Sequence, residues 1–485
     1  MRKVWRIVRL LNRPWYLKYF LLSAATWTYL VNIGLLSHQS LDSSRDTPLN
    51  PAENLYFLPK NDSLDAVFAP LEKYREMVDC PAIAEGNVES IRRAKRWRFD
   101  DSFVWESIYP SYDRSGINQR APFVQFRCET IKSMFSFAER PLSREEALYP
   151  LAYGMLLYHN SVQILYLLSA IYQPQNQFCI AIDSKASMAF KREMKIIASC
   201  FPNIHIIYVP PISWCGYSVT KGVLACLDSL TKLKAEWNYY QYLSGTDLPL
   251  KTNLEMVRIF KALNGSFNSG ISDFPGYRIR TQTRWAPLPL FKSSLSATFT
   301  RASATYFFSH RKTAELVVYL SKTECSDESL WTTLAGNPEY LQVPGGFNAR
   351  LFRKKLLAIF DTLEYYRGRT RFGLYRPEKY YISRFQTWFT DRRPCYGKLV
   401  QLSCVYGLRD LPGLLARPEL VAHKFYMDYQ TATFFCVYEA VRRRTLDPNR
   451  EFNAKEYGML PGPRMMRGEQ LEDMDVPSPS AFDFF

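Results

Sequence analysis

Two aspartates that follow strand-like segments are the residues in this chain best placed to do chemistry. Asp183 comes directly after the apolar run 178–182, and Asp247 lies on a Ser-Gly turn after the run 239–243. Asn253 can cap a helix that begins at Leu254, which puts Asp247 between a strand and a helix. Open α/β sheets bind ligands, nucleotides among them, at the carboxyl ends of their strands. The pattern therefore predicts a ligand site beside both aspartates.

The elements that must position these aspartates alternate between strand and helix. Strand patterns occupy residues 152–158, 178–182, 204–209 and 239–243. Helical patterns occupy residues 162–171, 187–199, 217–234 and 254–263, and the third has apolar residues at clear helical spacing. This β-α-β order predicts an α/β fold in which helices cover both faces of a mainly parallel sheet.

Several familiar catalytic motifs are absent from the sequence. It has no GxxxxGK[ST] phosphate loop and no GxGxxG fingerprint, and its five histidines form no HExxH pair, which argues against a zinc hydrolase. Many luminal sugar transferases hold a divalent metal with Asp-x-Asp at a strand end. The one such triplet here, Asp473-Met474-Asp475, lies far from the predicted sheet. We therefore expect no metal. If the chain transfers a sugar from a nucleotide, basic side chains must neutralise the departing diphosphate instead.

The N-terminus has the pattern of an uncleaved signal anchor. Six basic residues and no acid precede residue 19, and residues 19–37 carry no charge, close to the ~20 residues that span a bilayer as a helix. Trp15, Tyr16 and Tyr19 lie where an interfacial aromatic belt is expected. The basic flank predicts a cytoplasmic N-terminus and a luminal remainder. A cleaved signal peptide is the alternative, although no small-residue cleavage site follows the span.

Composition and charge divide the chain into five segments. We expect a cytoplasmic tail at 1–18, a transmembrane helix at 19–37, a luminal stem rich in Ser, Asp, Pro and Asn at 38–78, a folded domain at 79–445 and a disordered tail at 446–485. The N-terminal basic residues account for 6 of the net charge of +16, so +10 remains. Because a luminal chain rarely meets nucleic acid, this balance favours phosphate-bearing small molecules or acidic glycans as partners.

The cysteines and two sequons agree with a luminal domain. Ten cysteines, an even number with no CxxC pair, indicate disulfides rather than a zinc ribbon. Cys395 and Cys404 could close a short loop, but spacing alone does not fix the pairing. Asn61 and Asn264 each begin an N-glycosylation sequon.

The region around Asp247, together with shorter stretches, resembles a known family. The matching residues are Trp237, Gly245, Asp247, Pro249, Lys251-Thr252-Asn253-Leu254-Glu255, Asp327-Glu328-x-Leu330-Trp331-x-Thr333, Cys404-Val405-x-Gly407 and Lys424-Phe425-x-x-Asp428. They are similar to motifs of the core-2/I-branching β-1,6-N-acetylglucosaminyltransferases, and the similarity covers nearly all of the luminal domain. The resemblance implies a metal-independent GT-A catalytic domain at 79–445 with no cofactor, anchored in the Golgi membrane as a single-pass type II protein.

The resemblance also implies a reaction and a set of disulfides. The reaction is the inverting transfer of GlcNAc from UDP-GlcNAc, in β-1,6 linkage, to the GalNAc of core-1 mucin-type O-glycans on protein acceptors. The implied disulfides are Cys80–Cys436, Cys128–Cys200, Cys179–Cys226 and Cys395–Cys404. Cys215 and Cys325 are additional cysteines, either free or paired with each other. The oligomeric state is left open, a homodimer included.

Individual site residues carry over in the same way. Glu328 would be the catalytic base, Asp183 would contact the uridine side of the donor, and Lys424 would bind the diphosphate. Leu156 and Trp214 fall at further donor contacts, and the acceptor side would use Arg278, Arg280, Phe385 and Trp388. Ordinary structural roles are the alternatives: Asp183 could cap a turn, Lys424 could be a surface lysine, and Glu328 could cap the helix that follows it.

Two departures from the family pattern bear on the reaction. Gln401 stands where the family has a second, arginine contact to the diphosphate, and Lys398 or Arg409 could substitute. Between Asn264 and Leu290 the acceptor loop has lost most of the family's charged residues, and Phe385 matches an aromatic motif only weakly. A related transferase that uses UDP-Glc or UDP-Xyl, or a catalytically silent glycan-binding protein, is therefore the alternative function. A retaining hydrolase is disfavoured, since it needs two carboxylates about 5 Å apart.

Overall fold

A computed structural model describes residues 77–109, 121–279, 285–366, 380–391, 394–447 and 451–474. The predicted cytoplasmic tail, membrane span and nearly all of the stem lie outside these residues, as do Asn61 and Arg280. Among the helices that the structure describes, none combines the length and the hydropathy required to cross a membrane.

Twelve strands are described, and five of them form the central sheet. Their bounds are β1 Leu151–Leu157, β2 Gln177–Asp183, β3 Ile204–Val209, β4 Tyr239–Ser244, β5 Asp247–Pro249, β6 Ser272–Asp273, β7 Phe291–Lys292, β8 Thr298–Thr300, β9 Phe385–Gln386, β10 Lys398–Val400, β11 Ser403–Val405 and β12 Val421–His423. The central order is β3-β2-β1-β4-β8, in which only β8 runs antiparallel. The predicted α/β fold with a mainly parallel sheet is therefore confirmed.

The helices of the described residues surround this sheet. Their bounds are α1 Cys80–Ala84, α2 Val88–Ala94, α3 Ser102–Ile108, α4 Ala121–Met134, α5 Arg144–Ala147, α6 Ser161–Ile171, α7 Met188–Cys200, α8 Tyr217–Thr231, α9 Asn253–Ala262, α10 Arg301–Ser309, α11 Arg311–Leu320, α12 Leu330–Ala335, α13 Ala349–Tyr366, α14 Leu411–Leu415, α15 Ala432–Leu446 and α16 Pro461–Met466. Short 3₁₀ turns occupy Gly276–Arg278, Ser326–Glu328, Leu408–Asp410 and Lys455–Met459.

Strand alternation divides the apolar residues between two cores. Tyr153 and Ile180 point into one core, whereas their neighbours Ala152 and Ala181 point into the other. Successive strand residues face opposite sides of a sheet, so helices are needed on both faces to cover the two cores. Helix α8 packs on the core that contains Ala181.

A second, smaller sheet carries the segments on which the resemblance rests. Its order is β5-β12-β9: β12 pairs antiparallel with β5 and parallel with β9. This pairing brings Asp247, at the start of β5, opposite His423 at the end of β12. Lys424 follows His423 directly. The sheet thus brings together β5, β9 and the end of β12, which are distant in sequence.

The residue that caps α9 differs from the prediction. Thr252, not Asn253, is the N-cap: its side chain accepts from the backbone N–H of Glu255, and the Glu255 side chain accepts from the backbone N–H of Thr252. This reciprocal capping box satisfies two backbone donors at once. Asn253 is the first helical residue, and its side chain bonds to Asn176 and Glu146.

The expected disordered tail is wrong for residues 451–474. These residues form a 3₁₀ turn and helix α16, and they bury Tyr457, Leu460, Leu471 and Met474 against the two cores. Composition rich in Pro, Gly and Met suggested disorder, but the apolar side chains provide enough burial to order the chain. Met474 of the Asp-x-Asp triplet is thus a core residue.

Five disulfides are formed and no cysteine is free. They are Cys80–Cys436, Cys128–Cys200, Cys179–Cys226, Cys395–Cys404 and Cys215–Cys325. The first four are the pairs that the family resemblance implied. The fifth resolves the choice that the sequence left open for Cys215 and Cys325, which pair with each other.

Candidate active site

Asp183 at the end of β2 is bound by backbone groups. Its Oδ1 accepts from the N–H of Lys185 at 2.8 Å, and its Oδ2 accepts from the N–H of Ile212 at 3.2 Å. These bonds close the turn after β2 and tie it to the loop that follows β3. The side chain is buried. Its capping role is therefore evident from the geometry, and a role towards the donor stays a prediction.

The two other predicted donor residues differ in exposure. Leu156 in β1 is partly buried and packs against α8, where a Cβ on Gly222 would lie 3.1 Å from its Cδ1. Trp214 lies on the loop between β3 and α8 with 67% of its surface exposed. An exposed indole at the carboxyl edge of the sheet can cover a planar ligand.

Asp247 has a structural role. It is fully buried; its Oδ1 lies 2.7 Å from His423 Nδ1, and its Oδ2 accepts from the N–H of Ser244 at 2.7 Å. Burial opposes its charge, but the hydrogen bond from His423 and the positive charge of Arg384 hold the pKa of Asp247 below its usual value. Burial lowers the pKa of His423. The pair therefore locks β5 to β12, because both oxygens of the carboxylate already have partners.

Lys424 lies just beyond this pair and is buried. Its ammonium donates to the backbone oxygen of Val400 at 2.8 Å, and burial lowers its pKa. Lys398, in the same β10–β11 hairpin as Val400, places its ammonium 4.3 Å from the ring centre of Tyr429. Both lysines also lie 5.7 Å from the ring of Tyr426. Two cations therefore lie near one aromatic ring.

Gln401 occupies the tip of that hairpin with a positive φ of 49°. Gln401 stands where the family has an arginine, and Lys398 and Arg409 were the two expected substitutes. Lys398 shares the ring of Tyr426 with Lys424. Arg409 instead stacks on Tyr396 at 4.5 Å. The structure thus favours Lys398 as the second cation beside Lys424.

Glu328 ends a 3₁₀ turn immediately before α12. Its Oε2 accepts from Arg278 Nη2 at 2.6 Å, and Lys292 Nζ lies 3.6 Å from the same oxygen. The backbone oxygen of Glu328 accepts from the N–H of Ser293 at 2.6 Å. The side chain is 22% exposed. A carboxylate that is fixed by two cations through one oxygen, and open to solvent, is suited to receive a proton on the other oxygen.

Asp327 lies next to Glu328 but in a different environment. Its Oδ1 is buried and has no hydrogen-bond partner among the described residues. Burial, together with the negative charge of Glu328, raises the pKa of Asp327 to about 7. Neighbouring carboxyls whose environments differ in this way can take different protonation states at one pH.

Unpaired polar atoms are concentrated around these two carboxyls. In the described part of the chain, buried side-chain atoms without a hydrogen-bond partner include Arg278 Nη1, Ser293 Oγ, Asp327 Oδ1, Ser329 Oγ and Arg384 Nε. Buried polar groups in native proteins are normally paired, so such a concentration indicates a place where a polar ligand binds.

Arg384 and Lys292 also belong to this site, although no pattern in the sequence pointed to them. Arg384 precedes β9 and bonds to Ser294 Oγ at 3.4 Å; its positive charge helps to lower the pKa of Asp247 and partly opposes the rise in the pKa of Asp327. Lys292 follows Phe291 in the two-residue strand β7. Neither residue lies in a recognisable motif, so only the tertiary fold reveals them.

The predicted acceptor residues are not all brought together. Arg278 reaches Glu328, and Trp388 lies beside the β10–β11 hairpin through a backbone bridge to Ser403. Phe385 is only 9% exposed, stacks on Tyr406, and has the Arg417 guanidinium 4.2 Å from its ring centre. This placement corrects the expectation that Phe385 stacks on an acceptor sugar, since its ring belongs to the core.

Metal ligands are not assembled in the described residues: no group of three or more His, Cys, Asp or Glu side chains could hold an ion. Independence from metal stays a prediction. The cations that could replace a metal are Lys398 and Lys424.

Comparison with known proteins agrees with this geometry. Residues 151–364 match the family model of the Core-2/I-Branching enzyme. The human beta-1,3-galactosyl-O-glycosyl-glycoprotein beta-1,6-N-acetylglucosaminyltransferase is 28% identical over 409 residues, which cover 76% of this chain and 86% of the relative. Its type 3 relative from Ovis aries is 27% identical over 396 residues, covering 77% and 84%.

Among solved structures, S. aureus TarS residues 1–349 in complex with UDP aligns with 36% of this chain and 55% of that chain, at 11% identity and a TM-score of 0.22. A score this low supports no argument about function. The family match at residues 151–364 includes the five strands of the central sheet and both candidate carboxyls, Asp327 and Glu328. The chain is therefore similar to the Core-2/I-branching enzymes over residues 151–364, and to the two transferases over about three quarters of its length.

Proposed function

We propose that this chain is an inverting glycosyltransferase that moves GlcNAc from UDP-GlcNAc to the 6-hydroxyl of GalNAc in core-1 mucin-type O-glycans. The observation that carries the proposal is Glu328, a partly exposed carboxylate held by Arg278 and Lys292 among unpaired polar atoms, within the domain that matches the Core-2/I-branching enzymes. The names of the human and sheep relatives support the donor sugar and the acceptor.

The proposed chemistry assigns proton transfer to Glu328. Its Oε1 takes the proton from the acceptor hydroxyl as that oxygen attacks the anomeric carbon of the donor. Attack from the face opposite UDP inverts the configuration and leaves a β-linkage. Arg278 and Lys292 keep the carboxylate oriented through Oε2, so that no reorganisation is needed when the hydroxyl arrives.

Charge on the departing UDP is the second requirement. Lys424 and Lys398 provide two ammonium groups, each 5.7 Å from the ring centre of Tyr426, and we assign them to the diphosphate. This assignment gives a role to Lys398 that compensates for Gln401. It also predicts that activity survives EDTA, because the positive charge comes from side chains.

The acceptor side needs a new aromatic partner, since Phe385 is buried. Tyr277 directly precedes Arg278 and is 77% exposed. Its ring can stack on the apolar face of a sugar while the adjacent Arg278 holds the base. We assign Tyr277 to the acceptor site on this basis.

Localisation follows from the N-terminal pattern and remains part of the proposal. We propose a single-pass type II protein of the Golgi membrane, with the catalytic domain luminal and with glycans on Asn61 and Asn264. In sealed microsomes, added protease should remove an N-terminal tag and leave a C-terminal tag intact. Loss of the C-terminal tag would contradict the topology.

The second candidate function is a transferase with the same chemistry but a different donor or acceptor. The burial of Phe385 favours it, because the contacts to the acceptor then differ from the expected set. A UDP-release assay with UDP-GlcNAc, UDP-Glc and UDP-Xyl, with and without a core-1 acceptor, separates the candidates. The proposal expects acceptor-dependent release from UDP-GlcNAc. Preference for another donor supports the second candidate, whereas glycan binding without any release indicates a silent binding protein.

A further inference from the structure

The disulfide Cys215–Cys325 joins two segments that serve different halves of the site. Cys215 lies next to Trp214 on the loop between β3 and α8, which bears on the donor side. Cys325 is the residue immediately before the 3₁₀ turn that ends in Glu328. A covalent link thus connects the donor loop to the segment of the proposed base across 110 residues of sequence.

The donor end of this link is itself anchored to the sheet. Ile212, three residues before Cys215, donates its N–H to Asp183, and its backbone oxygen accepts from the Lys185 ammonium. Helix α8 begins two residues after Cys215. The cysteine therefore lies on a short segment that is held at both of its ends.

At the other end of the link, backbone hydrogen bonds connect Cys325 to Glu328, the proposed base. The N–H of Cys325 donates to the backbone oxygen of Cys215 at 2.8 Å, and the N–H of Glu328 donates to the backbone oxygen of Cys325 at 2.9 Å. Within the same turn, Ser326 Oγ lies 2.7 Å from Thr220 Oγ1 of α8. The backbone of Glu328 is therefore one hydrogen bond away from the disulfide.

Cys325 also adopts a backbone conformation that an unrestrained cysteine rarely takes. Its φ is 47° and its ψ is 50°, in the left-handed region, and Cys215 has a φ of 60°. Residues other than glycine pay a steric penalty there, so the surrounding contacts must hold both cysteines in place. The disulfide and the backbone hydrogen bond between the two residues are the contacts that do so.

We infer that Cys215–Cys325 is a positioning element that sets Glu328 at a fixed place relative to the donor-binding loop. The inference rests on the proposed function, in which Glu328 is the base. A base works only within hydrogen-bond reach of the hydroxyl it deprotonates, and displacement by about 1 Å can cost roughly 10²-fold in rate. The two groups assigned to the diphosphate, Lys424 directly after β12 and Lys398 on β10, lie outside the two segments that the link joins.

The test compares the full-length protein with and without this link. In Cys215→Ser/Cys325→Ser we expect kcat with UDP-GlcNAc and core-1 acceptor to fall by about tenfold or more, while the Kd for UDP changes by less than about threefold. The matched control, Cys128→Ser/Cys200→Ser, removes a disulfide that joins α4 to the end of α7. It should keep kcat near wild type even if its melting temperature falls.

Other outcomes would contradict the inference. A kcat within twofold of wild type, or an equal loss in both double variants, overturns it. Cys215→Ala/Cys325→Ala is a second variant of the link; if neither form folds, the disulfide is required for the fold and the positioning role is rejected. Failure of wild type to release UDP with any acceptor would refute the proposed function instead.

Discussion

Arg278 and Glu328 form a contact that places a cation and a carboxylate 2.6 Å apart at the centre of the candidate site. Arg278 is buried, whereas Glu328 remains partly exposed, so the cation fixes the carboxylate from the protein side. Lys292 Nζ lies 3.6 Å from the same oxygen, so both cations contact Oε2 and neither is recorded against Oε1. This arrangement is the basis of the first prediction.

Glu328→Gln should lose roughly 10²-fold or more in kcat, because the acceptor hydroxyl is a poor nucleophile until a base removes its proton. Glutamine keeps the size of the side chain, so UDP affinity should change little. Steady-state kinetics and calorimetric titration with UDP measure the two quantities. Asp327→Asn is the matched control and should be milder. A dead Asp327→Asn with a nearly normal Glu328→Gln would move the base to Asp327.

Asp327 also predicts a dependence of stability on pH. Its pKa is about 7 in the folded protein because of burial and the Glu328 charge, and near 3.9 when unfolded. Between these values the folded state holds a proton that the unfolded state lacks, so raising the pH lowers the free energy of unfolding, by at most about 1.4 kcal/mol per pH unit. Denaturant unfolding from pH 4 to 7 should show this slope in wild type relative to Asp327→Asn. Parallel curves for the two proteins would contradict the raised pKa.

The pair of lysines predicts a charge effect on the donor. Lys424→Ala should cost about 2–4 kcal/mol of transition-state stabilisation, the scale of losing one preorganised charge partner. Lys398→Ala should act in the same direction, whereas Arg409→Ala, whose guanidinium stacks on Tyr396, should not. Burial lowers the pKa of Lys424, so this lysine loses its charge at a lower pH than an ordinary lysine does. UDP affinity should therefore fall as the pH is raised, before the pH reaches the usual lysine range. A Lys424→Ala variant within twofold of wild type would exclude this residue from the site.

The two aromatic residues Tyr277 and Phe385 should respond differently to truncation. Tyr277→Ala should raise the acceptor KM by about three- to tenfold, since an exposed ring contributes roughly 0.5–1.5 kcal/mol through stacking. Phe385→Ala should instead destabilise the fold by about 3 kcal/mol, as expected for a buried ring. Acceptor kinetics and thermal unfolding separate the two effects. An unchanged acceptor KM in Tyr277→Ala would remove Tyr277 from the site.

The central sheet was predictable from sequence because its strands are continuous apolar runs that end at turn residues. Runs of this kind are typical of strands buried on both faces, and the helices between them supply the parallel crossover. Helix α8 ends at Thr231, earlier than the predicted 234. Asn253 and Thr252 are both good capping residues, so the sequence alone could not choose between them.

The site was only partly predictable, for a physical reason. Glu328, Lys424 and Arg278 were found through motifs or a family resemblance, but Lys292 and Arg384 reach the site through tertiary contacts that no local pattern encodes. Phe385 illustrates the converse error: an aromatic beside a site motif resembles a sugar platform in sequence, whereas the fold buries it against Tyr406. Burial depends on which elements pack together, and sequence periodicity does not report it for a two-residue strand such as β9.

The product formed from UDP-GlcNAc and a Galβ1-3GalNAc acceptor tests the central claim most directly. NMR of the purified product of the wild-type protein, made in the presence of EDTA, should show a β-linked GlcNAc on the 6-carbon of the GalNAc. The same incubation with Glu328→Gln should yield little or none of it. A product with an α-linkage, attachment at another hydroxyl, or equal yield from Glu328→Gln would contradict the account.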